Sequence, residues 1–239
     1  MRRPLVAVPA RFAEKTSALR YRAIVNARAL ITMVHDAGGE PLSLLPWPDI
    51  AVLDDAAVRE RLSFADAVLL PGGGDIDPAT YGQEVASEHV YDVDPLQDAV
   101  DLAIARAALE SDVPVLAVCR GLHVVNVALG GTLEQHMEQP HREVVHTERR
   151  HTVGRVDEGW PSGLELPAEL AVSCYHHQRI AELAPSLQVL AHADDGTVEA
   201  VALPQRDAWF LGVQWHPEDM PTDDNQQAVV QAFVDAARP

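Results

Sequence analysis

Cysteine is scarce in this 239-residue chain, which has only Cys119 and Cys174. Two thiols make no disulfide framework, so the expected setting is a reducing cytoplasm with both thiols free. Long apolar runs are absent as well. No stretch approaches the roughly 20 residues that cross a bilayer. The opening MRRPLVAVPARF carries only a brief apolar run and reads as a first strand rather than a leader peptide. Basic residues are outnumbered, 18 Lys and Arg against 36 Asp and Glu, for a net charge of −18. That charge repels polyanions and argues against nucleic acid and anionic membrane as partners. It also gives an anionic small molecule no long-range attraction, so such a substrate has to be recognised locally. No internal repeat, low-complexity stretch or Pro/Ser-rich linker divides the chain. The expectation is one α/β domain over residues 1–239.

What the chain does have is alternation. LVAVPA (5–10) reads as a strand, residues 18–37 as a helix ending at Gly38-Gly39, and PLSLLP (41–46) as a second strand. A short helix follows from Asp54 to Leu62. DAVLLPGGGD (66–75) is a strand running into a glycine loop, and Pro95 to Glu110 is a helix with Leu102, Ala105 and Leu109 on its inner face. VPVLAV (113–118) is apolar throughout, as in a strand buried on both faces. Strands alternating with helices predict a flavodoxin-like open parallel sheet with helices on both faces. Beyond about residue 140 the texture changes. VVHTERRHTVGRV, LAVSCYH, LQVLAHA, TVEAVAL and WFLGVQW are short β-rich segments with turn signals such as Asp195-Gly196, which predicts antiparallel strands added in the C-terminal half. A closing helix runs from Asp223 to Ala237.

In AVCRGLHVVNVALGG (117–131), Cys119 stands between the strand VPVLAV and a helix that Gly130-Gly131 stop. A turn of that kind lifts one side chain toward the positive end of a helix, where a thiolate is stabilised. A lone cysteine is also a small buried hydrophobe in many folds, so the segment alone leaves both readings open. Ligands of open α/β sheets bind at the carboxyl ends of strands, and three unusual loops fall there: PGGGD, CRG and HPE. A cysteine hydrolase needs a thiolate, a base, a group that orients the base, and donors for an oxyanion. His216 and Glu218 in GVQWHPE (212–218) suit the base and its orienter. Gly72 to Gly74 can bring backbone N–H groups close to a substrate, and the N–H of Arg120 is a natural second donor. Neither a Walker Lys-Ser/Thr nor GxGxxG follows those glycines, which weakens a phosphate-cradle reading.

Six motifs occur in a fixed order: PGGGDIDP (71–78), VCRGLH (118–123), GGTLEQ (130–135), SCYHHQ (173–178), DGTVEA (195–200) and GVQWHPE (212–218). In this the chain resembles the class I glutamine amidotransferase-like proteins, and most closely the γ-glutamyl-γ-aminobutyrate hydrolase branch, peptidase family C26. The resemblance implies a Cys–His–Glu triad of Cys119, His216 and Glu218 that cleaves a γ-glutamyl amide through a thioester, in putrescine catabolism. It implies oxyanion-hole amides at Gly73 and Arg120, and substrate contacts from Gly72, Gly74, His123, Cys174, Tyr175 and His176. The implied partner is a small γ-glutamyl substrate, with no cofactor and no metal, and a homodimer is compatible with it.

Two positions depart from the family pattern. His123 stands where Gln is usual, so an imidazole, neutral or charged, replaces an amide near the γ-glutamyl group. Ser173-Cys174 stand where Asn-Ser is common. The rival for the histidines is a metal site, since His136, His141, His146 and His151 recur every five residues and His176-His177 adds two more. A period of five fits neither a helix face nor a strand face, and HExxH and Cys/His knuckles are absent. The His176-His177 pair is expected near the catalytic cysteine. Two other functions stay open, a glutaminase subunit that hands ammonia to a separate synthetase and a non-catalytic binding protein on the same fold.

Overall fold

Short β-branched runs and capped helical stretches alternate in the first half of the chain, and the computed structural model, which describes residues 2–13, 23–45, 54–137, 149–155 and 158–238, turns them into elements in that order. The first half holds β1 (Leu5–Pro9), β2 (Arg11–Ala13), β3 (Ala23–Val25), α1 (Arg28–Asp36), β4 (Glu40–Leu44), α2 (Asp55–Leu62), β5 (Ala67–Leu70), α3 (Pro95–Glu110), β6 (Val115–Val118) and α4 (Arg120–Ala128). The second half adds β7 (Thr132–Glu134), β8 (Arg149–Arg155), β9 (Glu169–Cys174), β10 (Arg179–Glu182), β11 (Gln188–Ala193), β12 (Val198–Ala202), β13 (Phe210–Val213) and α5 (Asp224–Ala236).

A nine-stranded sheet in the order β4-β1-β5-β6-β13-β12-β11-β8-β9 organises them. The pairs from β4 to β13 are parallel, and those from β13 to β9 are antiparallel. Alternate residues of the parallel strands feed two separate cores. Val6, Val8, Leu69, Leu116 and Val118 pack with Leu30 and Val34 of α1 and Val230 and Phe233 of α5. Ala7, Val68, Leu70, Val115 and Ala117 pack with Val58 of α2, Ile104 of α3 and Val125 of α4. Both faces are covered, which is why these strands are apolar at every position instead of alternating.

The helix starts follow side-chain capping. Asp54 accepts from the amide of Ala57 at 2.7 Å, and Asp94 accepts from Leu96 and Gln97 with Pro95 opening α3. Asp223 caps α5 in the same way. Gly130, at φ 95°, ends α4 as its sequence predicts. The hairpin turn at Asp195-Gly196 is present, with Gly196 at φ 82° between β11 and β12.

One element differs from expectation. The helix expected over 18–37 begins at Arg28, residues 14–22 lie outside the described segments, and Ala23–Val25 is a strand paired antiparallel with Arg11–Ala13. Ala-Ile-Val satisfies its backbone against β2, and this pairing overrides an apolar spacing that a helix would also fit. Strand ends shift by a residue or two elsewhere, as for PLSLLP, where β4 covers 40–44. Among the described residues no helix is long and apolar enough to cross a membrane.

Candidate active site

Strands β5, β6 and β13 are neighbours and parallel, so the loops at their carboxyl ends converge. Cys119 leaves β6 with φ 51° and ψ −107° and forms the N-cap of α4. Among the described residues it is one of two non-glycines with positive φ. Such a conformation costs on the order of 1–3 kcal/mol and persists only where its surroundings enforce it. Here the Cys119 amide donates to the Val213 carbonyl at 2.7 Å, pinning the turn to β13. Gly121 makes the turn possible, because a Cβ there would lie 2.2 Å from the Leu70 carbonyl oxygen.

The glycine loop after β5 closes the opposite side. A Cβ on Gly72 would lie 3.0 Å from His216 Cε1 and 3.7 Å from Cys119 Cβ, so Gly72 lets the imidazole and the cysteine face each other. A Cβ on Gly73 would run into the guanidinium of Arg11. His216 Nδ1 donates to Glu218 Oε1 at 2.8 Å, which leaves Nε2 as the nitrogen available to a thiol. Burial opposes a charge on His216, but the Cys119 sulfur and the Glu218 carboxylate outweigh it and hold the imidazole pKa well above its ordinary value. The histidine is thereby set to carry a proton beside the sulfur.

The Arg120 side chain turns away from the cleft into α3. Its Nη2 donates to Asp98 at 2.6 Å and its Nη1 to Asp101, all three side chains being buried. Burial works against the charge on Arg120, and Asp101 and Asp98 more than offset it, raising its pKa. Asp98 Oδ2 also accepts from the Asp77 amide at 2.9 Å. One carboxylate therefore ties the glycine loop to the start of α4.

Gly73, Gly74, Cys119, Arg120, His123, Tyr175 and His176 line one cleft. Tyr175 is 40% exposed at its mouth. Cys174 does not line it. Its sulfur is buried and directed at Glu199 Oε2, 3.5 Å away.

His123 is neutral. Burial pushes its pKa down to about 3, against the opposing hydrogen bond to Gln214. Its Nε2–H donates to Gln214 Oε1 at 2.7 Å, and the Gln214 amide reaches the Cys119 sulfur at 3.7 Å. Of the two states that the sequence leaves open for His123, this environment favours the neutral one. This has a measurable consequence. Below about pH 6.5 the unfolded chain takes up a proton at residue 123 that the folded chain refuses until about pH 3. The unfolded state binds more protons, so stability falls with falling pH, by about 1.4 kcal/mol per unit for one group. Urea titrations of His123→Gln are expected to show an acid slope shallower by about one proton between about pH 6 and pH 4. Equal slopes would mean that the folded protein holds residue 123 charged.

Of the histidine row, His136 is the member whose side chain is described. His136 meets His177, Nδ1 to Nδ1 at 3.0 Å, and stacks on His89 with ring centroids 4.0 Å apart. His177 Nε2 lies 3.1 Å from both Asp75 oxygens. His141 and His146 lie outside the described residues, and His151 is described only by its backbone. Among the described residues the group able to hold a metal is Cys174, His176 and Glu199. Gln214, Glu199, Asp98, Asp101, Asp75 and Arg11 were not singled out from the sequence. A polar residue between Val213 and Trp215, at the buried end of a strand, was the available signal for Gln214.

The peptidase C26 family profile matches residues 4–218. A Mycobacterium tuberculosis protein named provisionally as a glutamine amidotransferase is 40% identical over 208 residues, covering 84% of this chain and 64% of that protein. This chain thus spans somewhat under two thirds of that relative's length. The γ-glutamyl-γ-aminobutyrate hydrolase PuuD of Escherichia coli is 35% identical over 207 residues, covering 81% of this chain and 78% of that one. A solved Thermoplasma acidophilum structure, described provisionally as a GMP synthase component, superposes with a TM-score of 0.66 at 14% identity, covering 99% of this chain and 96% of that one, and shares the fold.

Proposed function

This chain belongs to the peptidase C26 family of class I glutamine amidotransferase-like proteins, and from that premise we propose that it hydrolyses the γ-glutamyl amide of a small γ-glutamyl amine of the γ-glutamyl-γ-aminobutyrate type. The observation that carries the reading is the strained turn that sets Cys119 against the His216–Glu218 pair across Gly72. Cys119 is the nucleophile. Its sulfur adds to the amide carbon, and the carbonyl oxygen becomes an oxyanion facing the N–H groups of Gly73 and Arg120. Collapse breaks the C–N bond, and His216 gives its proton to the departing amine. A γ-glutamyl thioester remains. Water adds to it with His216 taking the proton, and glutamate leaves as the thiolate re-forms. Glu218 orients His216 throughout. Neither buried cysteine is in a disulfide, which suits a reducing cytoplasm.

A second reading, delivery of ammonia from glutamine to a separate synthetase, is favoured by the name of the mycobacterial relative. Glutamate release from a panel of γ-glutamyl amides distinguishes the two. The expected result is a kcat/KM for γ-glutamyl-γ-aminobutyrate at least about tenfold above that for glutamine, or roughly 1.4 kcal/mol of transition-state preference. A preference for glutamine would establish the second reading, and no turnover of any member would establish a binding protein.

A further inference from the structure

A second cysteine, histidine and glutamate set, with His176 in the cleft wall and the other two behind it, has no part in the bond-making and bond-breaking steps proposed above. Cys174 ends β9, His176 follows two residues later, and Glu199 projects from β12, at 2%, 5% and 0% exposure. Cys174 Sγ is 3.5 Å from Glu199 Oε2, and His176 Nε2 is 3.6 Å from Glu199 Oε1. One ligand atom from each residue lies within 4.8 Å of the others. We propose that Cys174, His176 and Glu199 form a binding site for a thiophilic divalent cation of the zinc class, through which the ion reversibly suppresses the adjacent hydrolytic cleft.

The spacing supports this. A tetrahedral zinc ion with bonds of about 2.0–2.3 Å holds its ligand atoms about 3.5 Å apart. The donors are of matching type, a thiol, an imidazole and a carboxylate, and the imidazole is already oriented. His176 Nδ1–H donates to the Gln178 carbonyl at 2.9 Å, which fixes the tautomer and presents the Nε2 lone pair, an arrangement typical of metal-bound histidines. Charge also balances. A thiolate and a carboxylate together neutralise a dication, so the loaded site carries no net charge into a buried region. Binding breaks the Cys174 S–H bond, forms a sulfur–metal bond and releases the proton to solvent. His176 lines the same cleft as Cys119, so an ion held by these three residues sits at the wall of that cleft. Occupancy holds His176 against Cys174 and Glu199 and places a dication in the wall that substrate meets, altering both its shape and its charge.

Cobalt(II) is the probe, and Cys119→Ala is the background, which removes the competing thiol. The expected result is one cobalt per chain, with a near-ultraviolet sulfur-to-cobalt charge-transfer band and the intense visible bands of a four-coordinate ion. Adding Cys174→Ser, an isosteric exchange, should abolish the sulfur band and weaken cobalt affinity at least about tenfold. Absence of the band in Cys119→Ala, or its survival in the double variant, overturns the site. Should the double variant fail to fold, Cys119→Ala with His176→Gln carries the same expectation for affinity. The activity arm rests on the hydrolase reading. Equimolar zinc should lower γ-glutamyl amide hydrolysis at least about tenfold, with EDTA restoring it, and Cys174→Ser should need at least about tenfold more zinc for the same fractional loss. Cobalt binding without zinc inhibition would keep the site and overturn its regulatory role. Binding is read without substrate, so its failure is separable from failure of the proposed reaction.

Discussion

Replacing Cys119 with alanine is expected to lower γ-glutamyl amide hydrolysis by about 10⁴-fold or more, because the thioester cannot form and the oxyanion donors alone give little turnover. The second cysteine cannot substitute for it. Burial, then the Glu199 carboxylate, push the Cys174 thiol well above its ordinary pKa, and its sulfur does not open on the cleft. Iodoacetamide should therefore label Cys119 and spare Cys174 near neutral pH, because the thiolate is the reactive form. Intact mass and peptide mapping report the site, and steady-state glutamate release reports the rate. Preferential labelling of Cys174, or wild-type turnover by Cys119→Ala, would remove the nucleophile from the mechanism.

The second large effect is on stability. Arg120→Met keeps a residue of similar length and keeps the backbone N–H at the start of α4, yet it leaves Asp98 and Asp101 buried without their cation. Breaking one side of a buried ion pair costs about 3–5 kcal/mol, which urea denaturation would detect. The pH dependence is fixed in sign. Burial already pushes the Asp98 carboxyl up while Arg120 pulls it down, so removing Arg120 raises it further. The folded variant then binds protons more readily than its unfolded chain, and its stability should fall as pH rises through that raised pKa. The deficit against wild type is expected to be smaller in mild acid than at neutral pH. Loss of activity should accompany it, because Asp98 also holds the Asp77 amide of the glycine loop. A deficit below about 1 kcal/mol would show that the three side chains are not an obligate ion triad.

Which parts of this protein were legible in its sequence follows from the range of the interactions involved. Short-range rules sufficed for Asp94-Pro95 opening α3, for Gly130 closing α4, for Gly196 turning between β11 and β12, and for the apolar runs of β5 and β6. Each rests on contacts within a few residues, or on the need of a two-sided strand to be apolar throughout. Motif order located Cys119, His216, Glu218 and the glycine loop, and the sheet brings them together because β5, β6 and β13 are adjacent and parallel. The same local rules extended α1 too far, since they could not see β2 arriving to pair with Ala23–Val25. They also could not settle what each buried polar group faces. That His123 is neutral depends on its burial, its hydrogen-bond partner Gln214 lies 91 positions away, and the cationic end of Arg120 depends on α3. Cys174 looked like a cleft residue beside Tyr175 until β12 set Glu199 behind it. The sequence determined the alternation of strands and helices apart from Ala23–Val25, and it singled out the candidate residues of the cleft. Only the tertiary structure decided their charge states and partners, because a buried group's protonation is set by the few atoms packed against it, and those come from distant parts of the chain.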